Sequence, residues 1–172
     1  MIDIFKISIY QSNIINWGQK KKYINKNILS TLEKNSSFIE KFSKIFCDDL
    51  LAMSSDFNLK EYKIIDTWTI SYKKNDYHQV HNHRTIGLTA IIYVEYNELE
   101  HEPTYFIAPF NDPIKDTSLI YKPKNIKEGS IIVFPSFLNH FSNPNKSDKE
   151  RMIFAFDIIT KSNASVFFNT NN

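Results

Sequence analysis

A chain of 172 residues with 42% hydrophobic and 15% aromatic side chains carries enough apolar material for one well-buried core, and 23% charged residues is ordinary for a globular protein. General disorder is excluded, and 21 basic against 19 acidic residues, scattered along the chain, give a net charge of +2 that implies no nucleic acid bound by charge alone. No apolar run approaches the roughly 20 residues that cross a bilayer, and MIDIFKISIY lacks the layout of a signal peptide, so the expected location is the cytoplasm.

The single cysteine, Cys47, forms no internal disulfide and no Cys-x-x-Cys zinc or redox motif, so any metal must be held by His, Asp or Glu. Three glycines, Gly18, Gly87 and Gly129, are too few and too far apart for a phosphate-cradling loop. The organisation expected is one domain over 1–172, with a helical support region at 1–60, a strand-rich core at 61–160 and a polar tail at 168–172.

In chain order, a weak helical pattern runs through Ile24, Ile28 and Leu32. A long helix is predicted from about Ser37 to Met53, where Phe38, Phe42, Ile45, Phe46, Leu50 and Met53 form one apolar stripe at three- and four-residue steps. Ser37 with Glu40 suits a capping box, and Cys47 reads as a small residue beside a helix–core contact. From residue 61 the period becomes two: Tyr62, Ile64, Trp68, Ile70 and Tyr72 alternate with mostly polar neighbours. Further strands are predicted at 86–96, 104–108, 117–122, 130–134 and 151–159. Short strands separated by Asn, Asp, Pro and Gly suggest an antiparallel sandwich or barrel with the helices against one sheet.

Five histidines punctuate this pattern, and four of them, His78, His81, His83 and His140, fall where they could converge. Two histidines two apart on an extended chain point to the same side, so His81 and His83 suit joint ligation of one ion. His140 follows a strand ending in FPSF, where a sharp turn would deliver its imidazole to a sheet edge. His101, in the polar turn LEHEP, reads as solvated. On the last strand Arg151, Ile153, Ala155 and Asp157 share one face, and Met152, Phe154, Phe156 and Ile158 share the other, which should meet the helices. Arg151 then faces the barrel interior, where its charge requires an anion: a ligand carboxylate or, alternatively, a protein carboxylate or the solvent at the strand end.

With these residues in view, the stretches YHQVHNHRTIGLTAIIYVE and GSIIVFPSFLNHFSNPNKSDKERMIFAFD resemble the iron(II)- and 2-oxoglutarate-dependent oxygenases, particularly the small members common in marine bacteria and their phages. Their pattern is a paired H-x-[DE/H] entering a strand, a distal histidine after a strand ending near FPS, and an arginine about ten residues beyond; the similarity runs from about Trp68 to Asp157. The resemblance implies a mainly β fold, a double-stranded β-helix (jelly roll, cupin-like) of eight strands with N-terminal flanking helices. It also implies Fe(II) as cofactor and 2-oxoglutarate as co-substrate, with dioxygen and an unidentified small-molecule or protein substrate. By that resemblance His81, His83 and His140 are the metal ligands, and Arg151 binds the far carboxylate of 2-oxoglutarate. The implied activity is a dioxygenase, a hydroxylase in type, that couples decarboxylation of 2-oxoglutarate to succinate with oxidation of a substrate.

Two departures stand out. Most of the superfamily has Asp or Glu where His83 stands, and Asp76, Glu95 and Asp157 are the carboxylates to consider instead. Ile153 occupies the place of a serine that helps hold the oxoacid in many relatives, leaving Tyr93, Tyr105 or Thr89 to supply a hydroxyl. Trp68, Tyr77 and Phe137 are candidates to line a substrate cleft. Two other readings remain open at this stage. One is a cupin-type metalloenzyme independent of 2-oxoglutarate, suggested by Gly129, Pro135, His140 and Asn143; the other is a non-catalytic jelly-roll binding module.

Overall fold

The computed structural model describes residues 7–28, 36–83, 85–112 and 114–161. Strand β1 (Tyr10–Asn13) precedes helices α1 (Trp17–Ile28), α2 (Ser36–Ile45) and α3 (Cys47–Asp56), and eight strands follow. These are β2 (Glu61–Tyr72), β3 (His78–His81), β4 (Leu88–Glu95), β5 (Tyr105–Asp112), β6 (Thr117–Tyr121), β7 (Ser130–Pro135), β8 (His140–Ser142) and β9 (Arg151–Lys161). They form two antiparallel sheets, one in the order β1-β7-β4-β9-β2 and the other β3-β8-β5-β6. Strands β2 to β9 make the jelly roll, alternating between the two sheets except at β5 and β6, which pair with each other in the second sheet, and β1 extends the first sheet by pairing with β7.

The core has two layers, and β9 separates them as its alternation requires. Phe154, Phe156 and Ile158 pack with Phe42, Phe46, Leu50 and Met53 between the first sheet and the helices. Phe42 is the hub: its ring centroid lies 4.3 Å from Phe46, 5.1 Å from Phe154 and 5.2 Å from Phe156. Ile153 and Ala155 face the other way, joining Tyr72, Ile91, Tyr93, Phe106, Ile132 and Phe134 between the sheets.

The single helix expected over 37–53 is two helices. Phe46, at φ −98° and ψ 16°, leaves the helical conformation, yet its N–H bonds Phe42 and its carbonyl accepts from Leu50, so one apolar stripe continues across the break. Ile45 and Cys47 lie at the break, and both are exposed rather than packed against the core. Asp49 in the first turn of α3 receives the Ile15 N–H at 2.9 Å and pairs with buried Lys20, fastening α1 to α3. Breaking such a buried pair strands a charge, so Asp49→Ala should cost about 3–5 kcal/mol, read as a fall in denaturation midpoint, whereas Glu40→Ala, in an exposed pair with Lys44, should leave that midpoint essentially where it is.

Strand β2 also departs from simple alternation. A register irregularity between Ile64 and Asp66 shifts the phase by one residue, so Tyr62 and Ile64 pack toward the helices while Trp68, Ile70 and Tyr72 turn into the space between the sheets. Gly87, at φ +90°, admits no side chain, because a Cβ would stand 2.4 Å from the Ile158 carbonyl oxygen. That close approach sets the entry of the chain into β4, just after the paired histidines. Among the described residues no helix is long and apolar enough to cross a membrane. The helical pattern toward Leu32 and the polar tail at 168–172 lie outside the described residues.

Candidate active site

Strands β3 and β8 bring three histidines together at one end of the space between the sheets. His81 pairs with His140 across the two strands, and His83 follows β3, its N–H bonded to the Ser136 carbonyl at 3.0 Å. One potential ligand nitrogen from each lies within 4.8 Å of the others, and His83 Nε2 stands 3.3 Å from His140 Nε2. Donors sharing an ion at about 2.1 Å each are at most about 4.2 Å apart, so a small ring adjustment completes the set. The second ring nitrogens settle the tautomers: His81 Nδ1–H donates to the Gln79 carbonyl at 2.8 Å and His140 Nδ1–H to the Leu138 carbonyl at 3.0 Å. Both Nε2 lone pairs are thereby free for a cation. Burial among Phe106 and Phe134, reinforced by the neighbouring imidazoles, pushes the His140 pKa down to about 3, so it presents a neutral ring at physiological pH. The donor set fits a divalent transition metal.

His140 differs from its sequence expectation in placement. It lies on β8 between β3 and β5, inside the second sheet rather than at an edge, because the turn at Pro135–Leu138 feeds directly into a short strand. No carboxylate joins the cluster among the described residues. Asp76 accepts the Lys73 N–H in a turn, Glu95 pairs with Lys21 at 2.8 Å, and Asp157 accepts from Thr89 at 2.7 Å. His78 stacks on His81 with centroids 4.2 Å apart, brought to the same side by an irregularity between them, and its Nδ1 meets the Tyr72 hydroxyl at 3.2 Å. Burial, then the nearby His81 and His83, lowers its pKa.

The histidines open on a cavity of about 140 Å³ whose walls include Trp68, Tyr72, Thr104 and Ile153. It has room for a small metabolite, well below the size of drug-binding pockets. Trp68 lies 5.0 Å from His83, ring to ring, and Tyr77 stands in an open groove alongside that shares Tyr72 and His78. Phe137 is half-buried and outside the cavity wall.

Arg151, opposite Tyr72 in the β2–β9 register, is only 2% exposed. Its guanidinium carbon lies 4.1 Å from the centre of the Tyr72 ring, and Nη1 donates to the Glu102 carbonyl at 2.6 Å. Nε and Nη2 are buried, and among the described residues they have no hydrogen-bond partner and no carboxylate pairs with them. Among the described residues, neither a protein carboxylate nor exposure to solvent compensates Arg151.

The three candidate hydroxyls separate clearly. Tyr93 is fully buried at the Arg151 end of β4, its hydroxyl accepting the Thr104 N–H at 3.0 Å. Thr89 bonds Asp157 and Ser136, six residues of β9 and so about 20 Å along the strand from Arg151. Tyr105 stacks on Phe141 beneath Lys122, on the face of β5 opposite the buried Phe106. Only Tyr93 shares the neighbourhood of Arg151. The sequence reading missed Tyr72, the Glu102 carbonyl and His101; alternation on β2 marked the first, but nothing local marks a carbonyl delivered by a loop.

Residues 66–157, over half of the chain, match the family model described as "Putative 2OG-Fe(II) oxygenase". The chain belongs to this family. It is an oxygenase dependent on Fe(II) and 2-oxoglutarate, and dioxygen and a substrate to be oxygenated complete its reactants. Solved structures agree on the fold. The viral collagen prolyl hydroxylase vCPH of Paramecium Bursaria Chlorella virus-1, in complex with 2OG, aligns at TM-score 0.55 and 18% identity over 90% of this chain and 96% of its own. HygX of Streptomyces hygroscopicus, with nickel and 2-oxoglutarate bound, aligns at TM-score 0.62 and 12% identity, covering 89% and 82%. A Pseudomonas putida prolyl-4-hydroxylase aligns at TM-score 0.54 and 12% identity, covering 91% and 87%. No curated protein matches the chain.

Proposed function

We propose that this oxygenase is a hydroxylase in which His81, His83 and His140 hold Fe(II) and Arg151, with Tyr93 beside it, holds the far carboxylate of 2-oxoglutarate. The observation that carries the reading is the buried guanidinium with two donor nitrogens lacking partners: an uncompensated interior charge is costly, and a carboxylate accepting from Nε and Nη2 together would satisfy both. Three neutral imidazoles leave the full 2+ charge on the metal, which favours a dianionic oxoacid. When bound, the iron supplies the activation of dioxygen that drives decarboxylation of the oxoacid and oxidation of a C–H bond. Overall, 2-oxoglutarate, O2 and R–H become succinate, CO2 and R–OH.

The chain's own residues bind and orient the reactants and line the site with apolar surface. His140 is locked by its Leu138 bond, and Trp68, Phe106 and Phe134 surround the rings with apolar surface. Arg151 anchors one end of the oxoacid and thereby directs the other toward the histidines. The orphaned guanidinium also weighs against a cupin independent of the oxoacid and against a non-catalytic module. We further take the chain as one oxygenase domain working in the cytoplasm, a setting that suits the exposed Cys47. Nearly balanced charge favours a small-molecule or protein substrate over nucleic acid.

His78 touches His81 but lies outside the cluster, so His78→Ala should retain bound iron within about twofold, measured by metal analysis after dialysis. The test of the function is incubation with Fe(II), 2-oxoglutarate and air: slow succinate formation that requires both additions is expected, and its absence with every candidate substrate would refute the assignment.

A further inference from the structure

The loop from Tyr96 to Thr104 joins β4 to β5 and carries both backbone groups that hold the proposed anion clamp. The Glu102 carbonyl accepts from Arg151 Nη1 at 2.6 Å, and the Thr104 N–H donates to the Tyr93 hydroxyl at 3.0 Å. Little apolar packing fixes the tip of this loop, where Leu99 is 91% exposed. Its inward anchor is His101, expected from the sequence to be solvated but only 7% exposed.

His101 makes two kinds of bond with its ring. Nδ1 accepts the Asn97 N–H at 3.0 Å, which closes the turn within the loop, and Nε2–H donates to the Lys149 carbonyl at 3.1 Å, which crosses to the segment leading into β9. That same carbonyl accepts from Asn145 Nδ2 at 2.9 Å, and Asn145 also bonds the Tyr72 carbonyl at 2.9 Å. Lys149 stands two residues before Arg151, and Tyr72 is the β2 partner of Arg151, so the ring is joined directly to the segment entering β9 and, through Asn145, to the β2 residue opposite Arg151. The other ties across the gap, from Glu100 to Lys149 and Ser147 and from Glu102 to Asn143 and Lys122, are exposed and contribute little.

We propose that His101 is a positioning residue for 2-oxoglutarate: through its bond to the Lys149 carbonyl it holds the 96–104 loop so that the Glu102 carbonyl fixes Nη1 and leaves Nε and Nη2 aimed at the carboxylate. The inference rests on the assignment of Arg151 as the clamp. It concerns the cross-loop bond, which side-chain chemistry can separate from the local one. Glutamine places its amide nitrogen near the position of Nε2 and keeps the bond to Lys149; asparagine places its oxygen near Nδ1 and keeps only the bond from Asn97.

The test is anaerobic calorimetric titration of 2-oxoglutarate into the Fe(II)-loaded protein, with iron stoichiometry measured separately. Losing the buried bond should weaken 2-oxoglutarate at least fivefold in His101→Ala and His101→Asn, while His101→Gln stays within about twofold of the wild type and all three retain iron. Any result in which His101→Gln binds no better than His101→Asn overturns the proposal, because the ring would then serve the local turn or nothing; these two variants also decide the matter should His101→Ala fail to fold. Arg151→Ala in the same series distinguishes the failures: if it too leaves 2-oxoglutarate affinity unchanged, the clamp assignment itself is wrong.

Discussion

His140→Ala should lower the affinity for iron by more than about 100-fold, the upper end of what is lost when only the groups supporting a ligand are removed. His140 is 3% exposed, hydrogen-bonded through Nδ1 and held between β3 and β5, so no other described donor can take its place. The two histidines left, His81 and His83, are half-buried and open to water, which would occupy the lost position. Equilibrium dialysis with Fe(II), followed by metal analysis, reads the effect, and a melting curve checks that Phe106 and Phe134 have closed around the smaller side chain. His83→Ala should behave in the same direction. Unchanged iron in that variant would transfer the third ligand position to a carboxylate, with Asp76 the first to test.

The second large effect belongs to Arg151. Truncating one member of a buried, hydrogen-bonded charge pair costs about 2–5 kcal/mol, which corresponds to a roughly thirty- to several-thousand-fold loss of affinity for 2-oxoglutarate in Arg151→Ala. Iron binding should be spared, since the guanidinium belongs to no ligand set. The rise in melting temperature that 2-oxoglutarate gives the wild type should vanish in Arg151→Ala. Arg151→Lys keeps the charge but not the planar fork or the face-on contact with Tyr72, and should fall between. A variant that loses stability without losing 2-oxoglutarate affinity would make Arg151 a structural residue.

The legibility of this fold in the sequence follows from how each element is stabilised. Strands apolar on both faces, β4, β7 and β9 above all, declared themselves by composition, and the division of β9 into a Phe-rich helix side and an Arg-bearing inner side holds residue by residue. Strands β1, β3 and β8 escaped because YQSN, HQVH and HFS have no apolar alternation; pairing with neighbours, not their own pattern, makes them strands. The bulge in β2 was equally invisible, since five residues of one parity read as a single face until the register slips between Ile64 and Asp66. For the site, the histidine spacing and the interior arginine were legible because ligand and charge chemistry restrict which residues can serve. The parts contributed by loops were not. His101 sits in a polar turn that looks solvent-facing, and the approach of Lys149 from a distant segment, with the Tyr96 ring, buries it. The same reason separates Tyr93 from Thr89 and Tyr105: all three carry hydroxyls, and only strand register reveals that Tyr93 ends beside Arg151 while Thr89 lies toward the other end of the sheet.

The most direct measurement of the central claim is anaerobic titration of the purified chain with Fe(II) and then 2-oxoglutarate, followed by visible absorption. If the three histidines hold the metal and Arg151 anchors the oxoacid against it, a metal-to-ligand charge-transfer band appears only when both are present, saturates at one equivalent of iron, and needs a much higher 2-oxoglutarate concentration in Arg151→Ala. Iron that binds without producing the band, or a band with the same 2-oxoglutarate dependence in Arg151→Ala and wild type, would contradict the account.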